Sequence, residues 1–307
     1  MKKLSILCLI ILVLGLTSFS VMAENQETIK IGFTVIDQNM GYWNDQLRGA
    51  QAKADELGIE LITNNADSDP TKQITAIENW IIQDVDAMII SAVDAKICEE
   101  YIERAHEKDI PVVAAIHSLE GADASVIQDE YRLGYMTGEI AGKWIKNNLK
   151  DNAKFAVLGF DALEHVIVRG DGMEDGVYEQ APEANLVARQ DCDGLANVGM
   201  SVAESLLQAH PDLQVFVCVN DAGALGVVQA IRSAGKNTEE VCVVGSDRTE
   251  EAIEQIKKGT IFRGTIDLNP YGAGQLEVEK AYKLINNIEL TRHEIAPMKA
   301  ILYEESE

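Results

Sequence analysis

Basic residues are scarce in this chain. Lys and Arg total 26 against 50 Asp and Glu, which leaves a formal net charge of −24 over 307 residues. Nucleic-acid binding depends on Lys and Arg neutralising phosphates, and docking on an anionic membrane surface draws on the same side chains. The balance excludes both. Aromatics are few, at 6%, so an aromatic pair in a loop stands out. With six Pro and 23 Gly, a collagen-like or low-complexity chain is excluded. Chemistry-bearing motifs are missing too. There is no GxxxxGK[ST] and no GxSxG, and Gly32 lies inside the first strand-like run rather than in a phosphate-binding turn after it. His106, His117, His165, His210 and His293 have no metal-ligand spacing, and no CxxC occurs. Arg169-Gly170-Asp171 matches an adhesion tripeptide, but it falls inside a helical pattern. No catalytic residue, metal or cofactor is expected.

What the chain does have is apolar residues, 47% of the total. That is ample for a core, in a length about twice that of a typical domain. Two lobes are expected. The one long apolar run is at the start: Met1-Lys2-Lys3, then Leu4 to Leu16, then Val21-Met22-Ala23. A charged start, a short apolar stretch and small residues before a cut describe a secretory signal peptide, residues 1–23. The run is shorter than the ~20 residues a bilayer span needs, and Cys8 lies within it, so neither a membrane anchor nor a lipoprotein anchor is expected. The mature chain is expected to be extracytoplasmic. Cys98, Cys192, Cys218 and Cys242 remain, and four cysteines allow three pairings. Cys218 and Cys242 sit in apolar runs and are expected to be buried free thiols.

The body alternates strand and helix. Apolar runs at 29–36, 59–64, 87–91 and 111–116 are separated by amphipathic segments at 41–57, 70–83 and 95–107. After a short strand at 125–128 and a helix at 131–148, the pattern restarts with strands at 155–159, 185–188, 215–219, 241–245 and 261–266. Helices at 165–180, 196–209, 222–234, 250–257 and 271–287 complete it. Continuous apolar strands joined by helices imply an α/β fold with parallel sheets covered on both faces, here two doubly wound lobes. Ligands bind such sheets beyond the carboxyl ends of the strands. Asp and Asn recur there, in 37–43, 91–94, 160–161, 220–221, 246–247 and 267–269. These are also the preferred turn and N-cap residues, so each has two readings. Tyr42-Trp43 is the aromatic pair that stands out, placed to stack on the apolar faces of a sugar ring; packing of one of the two into the core is the alternative.

Several tracts resemble one family. They are Ile29-KIGFTVI-Asp37 and Tyr42-WNDQLRGAQAKADELG-Gly58, Leu133-GYMTGEIAGKWI-Ile145, and Leu206-LQAHPDLQVFVCVNDAGALG-Gly226, then Val243-VGSD-Asp247 and Gly264-TIDLNP-Pro270. They resemble the extracytoplasmic sugar-binding proteins of the ribose-binding type, which serve ATP-binding-cassette importers. The resemblance implies a periplasmic binding protein-like I fold. Its three-crossover hinge would divide the chain into an N-terminal lobe (24–129 with 268–296) and a C-terminal lobe (130–267 with 297–307). It implies ligand contacts at Tyr42, Trp43, Asn220 and Asp247, with Asn39, Ser91, His117, Arg169, Asp267 and Asn269 around them. The pattern departs from ribose-type proteins at three places. Ile116-His117 stands for Asp-Arg, Ile167 replaces the first Arg of Arg-x-Arg-Gly, and Leu268 replaces a polar residue. A ligand other than ribose is therefore implied: another monosaccharide, a polyol, or a less polar signalling molecule.

The leading reading is a monomeric binding protein that delivers a sugar or polyol to a membrane permease. A second gives it a sensor kinase or chemoreceptor as partner. A third, an exported hydrolase or isomerase using His117 with Asp247, has only fold-independent chemistry behind it.

Overall fold

The computed structural model describes residues 28–303 apart from 40, 151, 161–163 and 237; the expected signal peptide, with Cys8, lies outside the described residues. Two six-stranded sheets organise the chain. The first contains β1 (Lys30–Val35), β2 (Glu60–Asn65), β3 (Ala87–Ile90), β4 (Val112–Ile116), β5 (Ala124–Ile127) and β11 (His293–Ile295), in the order β11-β5-β4-β3-β1-β2. All its pairings are parallel. The second contains β6 (Lys154–Gly159), β7 (Asn185–Asp191), β8 (Val215–Cys218), β9 (Cys242–Val244), β10 (Phe262–Asp267) and β12 (Lys299–Leu302), in the order β12-β10-β9-β8-β6-β7. Only β12 runs antiparallel, against β10. The backbone passes from the first sheet to the second after β5, returns after β10, and passes again between β11 and β12.

Among the described residues nine α-helices connect the strands: α1 (Gly41–Leu57), α2 (Pro70–Ile82), α3 (Ala95–His106), α4 (Glu130–Leu149), α5 (Glu164–Gln180), α6 (Ala196–Ala209), α7 (Asp221–Ser233), α8 (Glu250–Lys257) and α9 (Pro270–Ile285). Several starts are set by side chains that accept a free N–H of the first turn. Asp69, Asp94, Asp129, Asn220, Thr249 and Asn269 do so, each contributing about 1 kcal/mol. Strand alternation divides the first core. Met88, Ile90, Val112 and Ala114 face α2 and α3, whereas Ile89, Val113 and Ala115 face α1 and α9. Gly32 is glycine because the Trp80 ring lies flat on it, where a Cβ would come within 2.5 Å of the indole. Cys98, Cys192, Cys218 and Cys242 are all buried and free, and burial raises every one of these thiols.

The second lobe is held by a glycine stripe. Gly134, Gly138 and Gly142 recur every four residues on one face of α4, against the backbone of α5. A Cβ at Gly134 would sit 1.9 Å from the Arg169 carbonyl, and one at Gly138 would sit 2.0 Å from that of Met173. In an open helix Gly→Ala gains about 1 kcal/mol; here overpacking, which costs about 1–3 kcal/mol, opposes that gain. Gly138→Ala is expected to lower stability to chemical denaturation, since no rotamer moves a Cβ.

In the first lobe α1 meets α9 through a buried polar pair. Gln46 Nε2 donates to both carboxylate oxygens of Glu277, at 2.8 and 3.0 Å, and both residues are fully buried. Burial pushes the Glu277 carboxyl up to about 8, against the opposing hydrogen bond from Gln46. The folded protein therefore keeps a proton on Glu277 that the unfolded chain releases near its ordinary value. The resulting stabilisation is complete below that value and is lost as pH rises through about 8. Melting temperature is expected to fall between pH 6 and pH 9, and Glu277→Gln, permanently neutral, is expected to flatten that slope.

Candidate functional site

The carboxyl ends of both sheets open on one cleft of about 950 Å³. The first lobe contributes Tyr42 and Trp43 from the start of α1, with Ile116 and His117 from the end of β4 and Gln128 after β5. The second contributes Phe160, Arg169, Asn220 and Asp247, and Leu268 lies at the second crossing. Tyr42 and Trp43 meet edge to face with centroids 5.1 Å apart. Trp43 is 7% exposed and packs into the first core, and Tyr42 touches the cores of both lobes. Burial, followed by the charges of Glu277, Glu130 and Asp247, raises the Tyr42 hydroxyl far above its ordinary value. It stays protonated and available as a donor.

The polar side chains of the cleft are largely engaged by the protein. Arg169 donates from Nε to Glu130 Oε2 at 2.7 Å and from Nη1 to the Val219 carbonyl at 2.8 Å. Its second terminal nitrogen pairs with the same Glu130 oxygen, and Gln128 Nε2 donates to the other at 3.3 Å. Asn220 caps α7, accepting from Gly223 N at 2.9 Å, and donates from Nδ2 to the Gly194 carbonyl at 3.0 Å. Beside it Asp221 is buried; it accepts from Thr265 Oγ1 at 2.7 Å and from the amide and hydroxyl of Thr249 at 2.8 and 3.1 Å. Burial outweighs these bonds and pushes its carboxyl up to about 6.

Asp247 differs from its neighbours. Its backbone φ is 113°, and Arg248 follows at 58°, a conformation costing on the order of 1–3 kcal/mol for a residue with a side chain. Its amide donates to the Ile266 carbonyl at 3.0 Å, while among the described residues no donor holds its carboxylate. The side chain stands open to the water of the cleft with protein on both sides. Enclosure between the lobes, then Asp221 and Glu130, raise its carboxyl above the ordinary range, and Arg169 opposes them. A hydroxyl-bearing ligand would supply the donors this carboxylate lacks.

Of the residues expected at the site, the structure brings together Tyr42, Trp43, His117, Arg169, Asn220 and Asp247. The other four lie outside the lining. Asn39 is exposed and bonds Asp37 from both its amide nitrogen and its side chain. Ser91 is buried at the end of β3, where its carbonyl accepts from Gln73 Nε2. Asp267 pairs with Arg248 at 3.2 Å and accepts from the Asn269 amide. Asn269 caps α9 by accepting from Gly272 N. Sequence reasoning missed Gln128, Thr249 and above all Glu130, whose partner Arg169 lies 39 residues away in the chain; no local pattern signals such a pair. Among the described residues no group of three or more His, Cys, Asp or Glu could hold a metal ion, and no helix is long and apolar enough to cross a membrane.

The Glu130–Arg169 side chains are only about a tenth exposed. Removing one partner of a buried pair costs about 3–5 kcal/mol, whereas replacing both is often near neutral. Glu130→Leu alone is expected to destabilise strongly in denaturant melts, and Glu130→Leu with Arg169→Met to recover most of that loss.

Comparison with known proteins agrees with this geometry. The model of the family described as periplasmic binding protein domain matches residues 31–289. The ABC transporter periplasmic-binding protein YphF of Escherichia coli K12 is 30% identical over 291 residues, covering 91% of this chain and 86% of that protein. The ribose import binding protein RbsB of Bacillus subtilis 168 is 30% identical over 277 residues, covering 90% of this chain and 88% of that protein. In structure, a periplasmic ribose ABC transporter protein from Conexibacter woesei DSM 14684 superposes with a TM-score of 0.81 at 22% identity, over 90% of this chain and 92% of that one. The strand–helix alternation, the two parallel sheets crossed three times and the cleft at their carboxyl ends thus have a family to which they are proper, and this chain belongs to it: the periplasmic binding proteins.

Proposed function

We propose that this protein is an extracytoplasmic solute-binding protein, exported by cleavage near Ala23, that captures a monosaccharide or related polyol and delivers it to an ATP-binding-cassette importer. The observation that carries the reading is the unpartnered Asp247 carboxylate facing a cleft that also presents Tyr42 and Trp43. A carboxyl with no protein partner accepts from ligand hydroxyls, and while it holds a proton it also donates to one; aromatic rings suit the C–H faces of a sugar. The three crossings, near 129, 267 and 296, act as the hinge, and closure of the two lobes about them encloses the ligand. Binding proceeds without covalent change. A cleft of about 950 Å³ is roomy for one monosaccharide, which is consistent with an open state that closes on binding. The named relatives belong to transport systems, which favours a permease over a sensor as partner.

A thermal-shift screen of residues 24–307 against pentoses, hexoses, polyols, nucleosides and amino acids tests this. One sugar or polyol at ~100 times its dissociation constant is expected to add about 2.7 kcal/mol of stability. A response to nucleosides or amino acids alone would overturn the carbohydrate reading. Loss of a hydrogen bond to a charged group costs about 1.5–3 kcal/mol, so Asp247→Ala is expected to weaken binding roughly 10- to 100-fold by calorimetry.

A further inference from the structure

Across the cleft from Asp247's sheet, Ile116 ends β4 with φ at 69°. The His117 amide donates back to the Ala115 carbonyl at 2.9 Å, which makes Ile116 the centre of a γ-turn with positive φ, the rare and strained form. Every other described non-glycine residue with positive φ is Asp, Asn, Ser, Lys or Arg. Ile116 is the one β-branched residue among them, and for such a residue this conformation is an outlier. Asn would fit the turn better. An isoleucine held there against its backbone preference, lining the cleft, marks a position where the side chain itself is required.

Its surroundings say what it is required for. Leu268, Phe160 and Val166 line the same cavity. Several polar groups of the lining are already bonded within the protein, Arg169 to Glu130 and Val219, Arg248 to Asp267, and Asn220 to Gly223 and Gly194, which leaves the Tyr42 hydroxyl and Asp247 to meet ligand hydroxyls. A ligand hydroxyl turned toward Ile116 or Leu268 would give up its water and find an alkyl wall, and an unmet buried hydroxyl is costly.

We propose that the ligand of this cleft is amphipathic: a sugar or polyol with hydroxyls on the edge that meets Asp247 and a deoxygenated, methyl-bearing edge against Ile116 and Leu268. The inference rests on the carbohydrate reading above and narrows it to deoxy sugars or their methylated equivalents.

Calorimetry with matched pairs tests it: D-galactose against 6-deoxy-D-galactose, L-mannose against L-rhamnose, and D-ribose against 5-deoxy-D-ribose. The deoxy member of the recognised pair is expected to bind at least tenfold more tightly. Ile116→Asn is expected to reverse the preference; it relieves the turn but gives up the contact of Ile116 with the first core, so the melting temperature of the ligand-free variant is measured alongside to show that it folds. Leu268→Gln provides a second variant that should move the preference the same way. Parent sugars binding as tightly as their deoxy partners, or a preference unmoved in both variants, would overturn the inference and leave the carbohydrate reading standing. If no carbohydrate of either kind binds, both fall together.

Discussion

A parallel sheet delivers the carboxyl end of every strand to the same edge, and the rest of this molecule follows from that polarity. The loops that leave those ends carry whatever is not needed to form the sheet. Because the chain changes sheets three times, at 127–130, 267–270 and 295–299, the two edges are tied to each other and the loops of both line one space. The first crossing is pinned by Glu130, which opens α4 and grips Arg169 of α5, and Arg169 in turn grips the end of β8 through the Val219 carbonyl. A buried ion pair contributes little net stability after desolvation. What it supplies here is position: three elements of the second lobe are fixed at the point where the backbone enters it.

The cleft spends stability that is gained elsewhere. Three of its lining residues, Ile116, Asp247 and Arg248, hold positive φ, and Asp247 carries a carboxylate with no protein donor. Close helix packing over the glycines of α4, the capped helix starts and the apolar strands carry the fold instead. Most polar side chains near the cleft are bonded to their own protein, so recognition is left to a few groups. That separation of supporting bonds from offered ones keeps the site in shape while it is empty.

Much of this was legible in the sequence. Continuous apolar runs marked the buried strands, and the helix expected at 41–57 has those limits in the structure. The resemblance to ribose-type binding proteins anticipated the cleft and six of its residues. Other features were hidden for physical reasons. β11 and β12 have only three and four residues, none of them buried, and the run Ala300 to Leu302 in β12 is too short to mark a strand by itself. Asn220 and Asn269 combined two readings in one residue type, and the structure finds both acting as caps. Glu277 sits in a helix where a carboxylate ordinarily faces water; only the packing of α1 on α9 reveals that it is buried with Gln46. The spacing of Gly134, Gly138 and Gly142 was visible, but what it faces, Arg169, Met173 and Val177, lies on the next helix, beyond an intervening strand.

The central claim is that two lobes close on a small hydroxylated ligand held at their shared edge. Small-angle X-ray scattering of residues 24–307, with and without a saturating sugar or polyol that calorimetry has shown to bind, measures that closure directly. The account predicts a smaller radius of gyration in the bound protein. Saturation with no change in scattering would contradict it, because the ligand would then occupy a site that needs no movement of one lobe against the other.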